Sequence, residues 1–189
     1  MSVITALLDA SVLYRATARS ILLYLAVADV YRARWSEAIQ DEWVAALLRN
    51  DASINPARIG RTRALMESHI PDASVSDYEP LIATLTLPDA NDRHVLAAAI
   101  HGEAQVIVTE NLRHFPEAAL APHNIRAETA DQFVRALLDI DTDAVLAAFA
   151  ADRAGLRHPP LDVDGYLAAL VASNLPETAA ALQAFKDRL

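Results

Sequence analysis

Four residues of this 189-residue chain have the types and spacing to do chemistry together: Asp9, Glu42, Asp92 and Asn111. Asp9 closes the apolar run Val3-Ile4-Thr5-Ala6-Leu7-Leu8, and Asn111 follows Glu110 after a second such run, Gln105-Val106-Ile107-Val108-Thr109. Runs this short and this apolar read as strands buried on both faces. Open α/β sheets bind ligands outside the carboxyl ends of such strands. Asp92 opens a helix whose next two turns are strongly apolar, and Glu42 sits mid-helix beside Trp43, at the border of a buried face that includes Ile39. In a parallel sheet these positions converge on one edge.

Gathering carboxylates carries a cost. Two of them about 4 Å apart repel by roughly 4 kcal/mol at an effective dielectric near 20, so three need a cation or must take up a proton. The chain has no cysteine, and these segments bring no close histidine pair. Oxygen donors alone select a hard ion, Mg²⁺ or Mn²⁺. Such an ion polarises a phosphodiester, lowers the pKa of water and stabilises a leaving oxygen, so phosphodiester hydrolysis is the chemistry this cluster suits. Each residue also has a plainer reading. Asp9 can cap a helix that begins near Ser11, Asp89 and Asp92 suit a helix start, Asn111 suits a turn, and Glu42 suits a solvated ion pair. The combination says more than its members.

The elements that must position these residues follow from periodicity and caps. After the first strand the sequence turns helical at Ser11, with Arg15 and Arg19 on the polar side, and an amphipathic helix covers residues 18–30. A short strand at 31–35 leads into a helix over 37–50 capped by Ser36. A further helix over 56–69 begins at Pro56, with Asn55 as its cap. It carries the cluster Arg58, Arg61 and Arg63, which reads by itself as a solvated face. A strand at 73–78, a short helix at 80–85 and a helix over 91–101 stopped by Gly102 come next. The strand at 105–109, a last strand at 124–127 and a helix over 129–138 complete the alternation. It predicts a mainly parallel sheet covered on both faces. From Asp139 the composition shifts to Ala-rich helical sequence, broken at His158-Pro159-Pro160 and at Asn174-Leu175-Pro176. Two or three short helices result, too apolar to stay free, which must pack on the main domain or on a second chain. The expected division is 1–138 and 139–189.

The 53% apolar and 22% charged fractions describe a folded globular protein. A net charge of −9 argues against holding nucleic acid by bulk electrostatics. It weighs less against an enzyme that concentrates carboxylates for a cation. The missing cysteines fit a reducing compartment. The N-terminus has no basic, apolar leader, and the longest apolar stretch, residues 21–28, cannot span a bilayer. A soluble, cytoplasmic protein without membrane contact is expected.

At these same residues the chain resembles the PIN-domain nucleases, and among them the VapC-like toxins of bacterial toxin–antitoxin pairs, over about residues 3–135. Leu7-Leu8-Asp9-Ala10-Ser11-Val12-Leu13 is similar to the opening motif, which implies Asp9 as first metal ligand and Ser11 as the hydroxyl that orients it. The segment from Trp35 to Trp43 puts the second acid on Glu42. Leu87-Pro88-Asp89-Ala90-Asn91-Asp92-Arg93 is the nearest match and puts the third on Asp92, with Asp89 as an outer partner. The run from Val106 to Pro116 resembles the closing motif, with Thr109 and Asn111 at its polar positions. The family implies a three-layer α/β/α sandwich and a Mg²⁺- or Mn²⁺-dependent endoribonuclease. RNA is then the substrate, with a cognate antitoxin and a homodimer as partners. Arg15, Arg19, Arg58, Arg61, Arg63 and Arg93 become candidate phosphate contacts. Two departures stand out: Asn111 and His114 occupy positions where related sequences often carry acids. A neutral Asn111 adds no charge for a second ion, so one tightly held metal is expected. A PIN-like protein with a weak or inactive site, acting by partner binding, is the alternative. An aspartyl-phosphate phosphatase using Asp9 fits less well, because Ser11 stands where its second aspartate belongs.

Overall fold

The computed structural model describes residues 3–157 and 159–189. His158, part of the expected break in the C-terminal region, lies outside the described residues. In chain order the elements are β1 (Thr5–Leu8), α1 (Ala10–Leu13), α2 (Ala16–Val27), β2 (Arg32–Ser36), α3 (Glu37–Asn50), α4 (Pro56–His69), β3 (Ser74–Val75), α5 (Glu79–Ile82) and α6 (Arg93–His101). There follow β4 (Val106–Val108), α7 (Glu117–Leu120), β5 (Arg126–Glu128), α8 (Ala130–Ile140), α9 (Thr142–Gly155), α10 (Val163–Ala172) and α11 (Pro176–Leu182). The five strands form one sheet, every pair parallel, in the order β3-β2-β1-β4-β5. Helix α6 packs across β1, β2 and β4, while α2 and α8, bridged by α9, pack against β2 and β5. Right-handed crossovers running in opposite directions place their helices on opposite faces, which gives the expected α/β/α sandwich. Among the described residues no helix is long and apolar enough to cross a membrane.

The sheet is organised about β1. Ala6 pairs with Ala33 of β2 on one side and Val106 of β4 on the other. Every residue of β1 and β4 is buried, which is why both strands read as unbroken apolar runs without alternation. The chain builds β2 and β3 to one side of β1 and then returns to place β4 and β5 on the other. The crossover direction reverses between β1 and β4, so a crevice opens at their carboxyl ends. Asp9 and Thr109 are the next residues along each strand.

Several boundaries differ from expectation, each for a local reason. Helix α2 ends at Val27 and not at 30, because Asp29 turns left-handed (φ 56°) and the Val30 N–H closes onto Leu25 O. Strand β3 holds two residues, not six, confined between a proline-led turn at Pro71–Ala73 and Asp77 at φ 62°. The last strand starts at Arg126 because Asn124 is left-handed (φ 57°). Gly102 does terminate α6, but with an ordinary φ of −80°. A Cβ there would meet Val75 Cγ2 at 2.9 Å and Ala98 O at 3.0 Å, so close packing excludes a side chain.

The region after residue 138 folds onto its own chain. Helix α9 packs against α2 and α8, and α11 against α8. Phe149, Tyr166 and Leu170 belong to the same continuous apolar core as Leu7 and Trp43. Two buried carboxylates fasten the layers. Asp152 receives the hydroxyls of Ser20 and Tyr166; burial raises its pKa, and the two hydroxyl donors oppose the rise. Asp131 accepts the backbone N–H groups of Glu177 and Thr178, each at 2.8 Å, and so caps α11 from α8. Replacing Asp131 with Ala leaves both donors without that partner. Urea denaturation followed by circular dichroism is expected to show a loss of about 2–4 kcal/mol.

Candidate active site

Asp9 is only 6% exposed, and its carboxylate accepts three hydrogen bonds from residues at two strand ends. Oδ1 accepts the Ala10 N–H at 2.8 Å, which makes Asp9 the N-cap of α1. Oδ2 accepts two hydroxyls, Ser11 Oγ at 2.6 Å and Thr109 Oγ1 at 2.7 Å. Those hydroxyls in turn accept backbone N–H groups, Glu110 to Ser11 at 3.0 Å and Asn111 to Thr109 at 3.1 Å. With backbone donors on their lone pairs, both hydroxyl protons point at the same oxygen. The Asp9 N–H donates to Val108 O at 3.0 Å, continuing the β1–β4 ladder into the site. The cap reading and the site reading of Asp9 are compatible, because the cap takes a single donor on Oδ1 and leaves that oxygen able to accept another partner.

Asp9, Glu42, Asp92 and Asn111 line one cleft of about 650 Å³, together with Arg15 and Glu110. Glu42 comes from the second turn of α3, held by the Ser36 cap, whose Oγ accepts the Ile39 N–H at 3.3 Å. Its Oε1 lies 2.9 Å from His94 Nε2. Asp92 ends a short turn, Ala90–Asp92, that Asp89 caps through the Asn91 N–H, and it precedes α6. Its Oδ2 lies 2.7 Å from His114 Nδ1. Asp89, Asp92 and His114 present ligand atoms within 4.8 Å of one another. A hollow of about 770 Å³ between α2, β2 and Pro71 is larger, but it lies at the amino ends of β2 and β3, away from these acids.

The arginines divide sharply. Arg15 is exposed on the cleft wall, as a phosphate contact requires. Arg19 is not: its guanidinium donates to Leu13 O and stacks 4.6 Å over the Trp43 ring, and burial lowers its pKa to about 10. The expectation that Arg19 serves as a surface phosphate contact fails because α2 turns it inward as a packing residue. Arg63 is tied to Asp41 at 2.5 Å and faces Glu37 at 3.9 Å. Arg58 and Arg61 are exposed on α4 but do not line the cleft, and neither does half-buried Arg93. Arg49 does line it, although sequence reading passed over it. The signal was available, since Glu42 and Arg49 stand seven residues apart on one helical face. Asn174, from the C-terminal region, also reaches the cleft, and no local pattern announces that.

The family model for the PIN domain matches residues 4–113, more than half of the chain. The chain belongs to the PIN domain family. A second family model, the VapC50 C-terminal domain, matches residues 130–184. A Mycobacterium tuberculosis protein named "Putative ribonuclease VapC50" is 40% identical over 103 residues, covering 54% of this chain and 60% of that protein. The chain thus spans about 60% of the length of the curated relative it matches. No solved structure matches it.

The donor set of this PIN domain fits a hard divalent cation: carboxylate oxygens face one cleft and no sulfur ligand is present. The electrostatics agree. Burial raises the Asp92 pKa above the ordinary carboxylate range and His114 pulls it back, while Asp89 and Asp9 push it up again. A cation would relieve that excess of negative charge. Burial alone would lower the His94 pKa, but the Glu42 hydrogen bond and the charges of Glu42, Asp9 and Asp92 outweigh it and hold it above 6.5. Stabilisation from the His94–Glu42 pair is therefore complete below about pH 6.5 and is lost as pH rises through the elevated pKa. In metal-free protein, Glu42→Gln removes the main upward influence and leaves burial in place. An NMR titration of the His94 ring is expected to show its midpoint dropping below that of the wild type.

Proposed function

We propose that this protein is a Mg²⁺- or Mn²⁺-dependent endoribonuclease, the toxin of a toxin–antitoxin pair, whose chemistry resides in residues 1–138. The observation that carries this reading is Asp9: a buried carboxylate with both oxygens oriented, opening onto a cleft that also holds Glu42 and Asp92. The likeness to a protein named as a ribonuclease supports the substrate class.

Asp9, Glu42 and Asp92 would hold the ion, with Ser11, Thr109 and Asp89 fixing their geometry. When bound, the ion supplies Lewis acidity toward a phosphodiester oxygen and makes water a stronger nucleophile near neutral pH. Asn111, its backbone pinned to Thr109, presents a neutral amide at the rim that orients water without adding charge. One tightly held ion is therefore expected. Arg15 and Arg49 hold the phosphates of the strand against the acidic floor. Cleavage leaves 5′-phosphate and 3′-hydroxyl ends. An antitoxin covering the acidic cleft, a homodimer and a cytoplasmic location complete the reading.

A second reading has its own observation. His94 and His114 already engage one oxygen each of Glu42 and Asp92, as in a site that has exchanged its cation for internal hydrogen-bonding partners and acts by binding a partner protein. Labelled RNA incubated with the purified protein separates the two. Cleavage is expected with Mn²⁺ or Mg²⁺, to stop with EDTA, and to fall roughly 10²–10⁴-fold in Asp9→Asn and Asp92→Asn, the equivalent of several kcal/mol. Cleavage indifferent to EDTA or to both substitutions would sink the nuclease reading. Arg15→Ala and Arg49→Ala are each expected to weaken RNA binding and to reduce the log–log salt slope by about 0.7, as read by fluorescence polarisation across salt concentrations.

A further inference from the structure

The loop between α10 and α11 reaches the mouth of the cleft from the C-terminal region, although more than sixty residues separate it from Asn111. At its tip Asn174 is exposed, with a left-handed backbone (φ 65°) that Asn tolerates better than other side-chain-bearing residues. The loop is rigidly built. The Asn174 N–H donates to Val171 O at 3.1 Å and the Leu175 N–H to Leu170 O at 3.0 Å. Leu175 is fully buried, and Asp131 clamps the next turn through Glu177 and Thr178. On the other side, Arg15 Nη1 donates to Ala172 O at 3.3 Å, tying the end of α10 to the cleft wall. The backbone of Asn174 is thus fixed, while its side chain is nearly free. Among the described residues its one side-chain hydrogen bond is Nδ2 to Glu110 Oε2 at 3.5 Å, the outer limit of such a bond.

A polar side chain on a stiff loop, facing the acids and scarcely bonded, is placed to bond something else. Its amide offers a donor and an acceptor side by side, the pairing that reads a base edge. It carries no charge, so phosphate attraction is not its contribution. Single-stranded RNA presents unstacked bases whose edges can be read in this way. Resting on the nuclease reading above, we propose that Asn174 is a specificity-determining residue, hydrogen-bonding a base of single-stranded RNA next to the scissile phosphate. The C-terminal extension then supplies sequence preference to a cleft whose chemistry belongs to the sheet edge.

The test uses the full chain and a pool of random single-stranded RNA, with cleavage positions read by sequencing. Asn174→Ala and Asn174→Gly are compared, because Gly keeps the left-handed backbone that Ala strains. Both are expected to flatten the base preference at one position beside the cut by threefold or more. The salt dependence of binding should stay unchanged. A preference unaltered in Asn174→Gly overturns the proposal, including the case in which Ala alone alters it, since that effect belongs to the backbone. Binding offers a readout independent of turnover. In an Asp9→Asn background, fluorescence polarisation with the four homopolymeric oligoribonucleotides should show a spread of Kd that Asn174→Gly narrows. If Asp9→Asn cuts as well as wild type, the nuclease reading falls. If Asp9→Asn is inactive but base preference ignores Asn174, only this inference falls. Failure to bind any RNA removes both.

Discussion

The structure depends on one constraint: a carboxylate has been buried at the point where the sheet reverses its winding. Asp9 lies at the ends of β1 and β4, with only 6% of its surface exposed, and unpaired burial of a charge is costly. Three donors meet that cost, and two of them are hydroxyls contributed by different strand ends, Ser11 beyond β1 and Thr109 beyond β4. Each hydroxyl is itself held by a backbone N–H. The strand pairing and the polar network therefore stabilise one another. If β4 slipped by one residue, Thr109 would face away and Oδ2 would lose a donor.

Around that fixed centre the charges are arranged in opposition. The chain is acidic overall, yet the acids of the cleft are each met by a cationic or polar neighbour: His94 at Glu42, His114 at Asp92, and Arg15 and Arg49 on the wall. This arrangement holds three like charges together without unfolding the edge that carries them. It also leaves an acidic floor with a basic rim, the pattern needed by a site that binds a polyanion through its rim and acts on it from its floor.

The C-terminal helices are part of the same solid. Asp152 links α2, α9 and α10 through hydroxyls of Ser20 and Tyr166, and Asp131 caps α11 from α8. These are buried polar ties within one apolar core, so the loop they support reaches the cleft as a rigid arm.

Much of this was legible along the chain. Short apolar runs ending in Asp9 and near Asn111 announced buried parallel strands, because a strand covered on both faces has no reason to alternate. Ser36 and Asn55 announced the helices they cap, since the bonds involved are local. The convergence of Asp9 and Asp92 followed from a strand end and a helix start, whose positions local pattern determines, while Glu42, in the middle of α3, was reached through the resemblance of its segment to a known motif. Tertiary structure alone decided the rest. It turned Arg19 inward onto Trp43 and shortened β3. It supplied His94 and His114 as hydrogen-bonding partners of Glu42 and Asp92, and it carried Asn174 across to the cleft. The physical reason is range. Caps, periodicity and turn chemistry act within a few residues and are written where they act. A partner brought by packing from a distant segment leaves no mark beside the residue it serves.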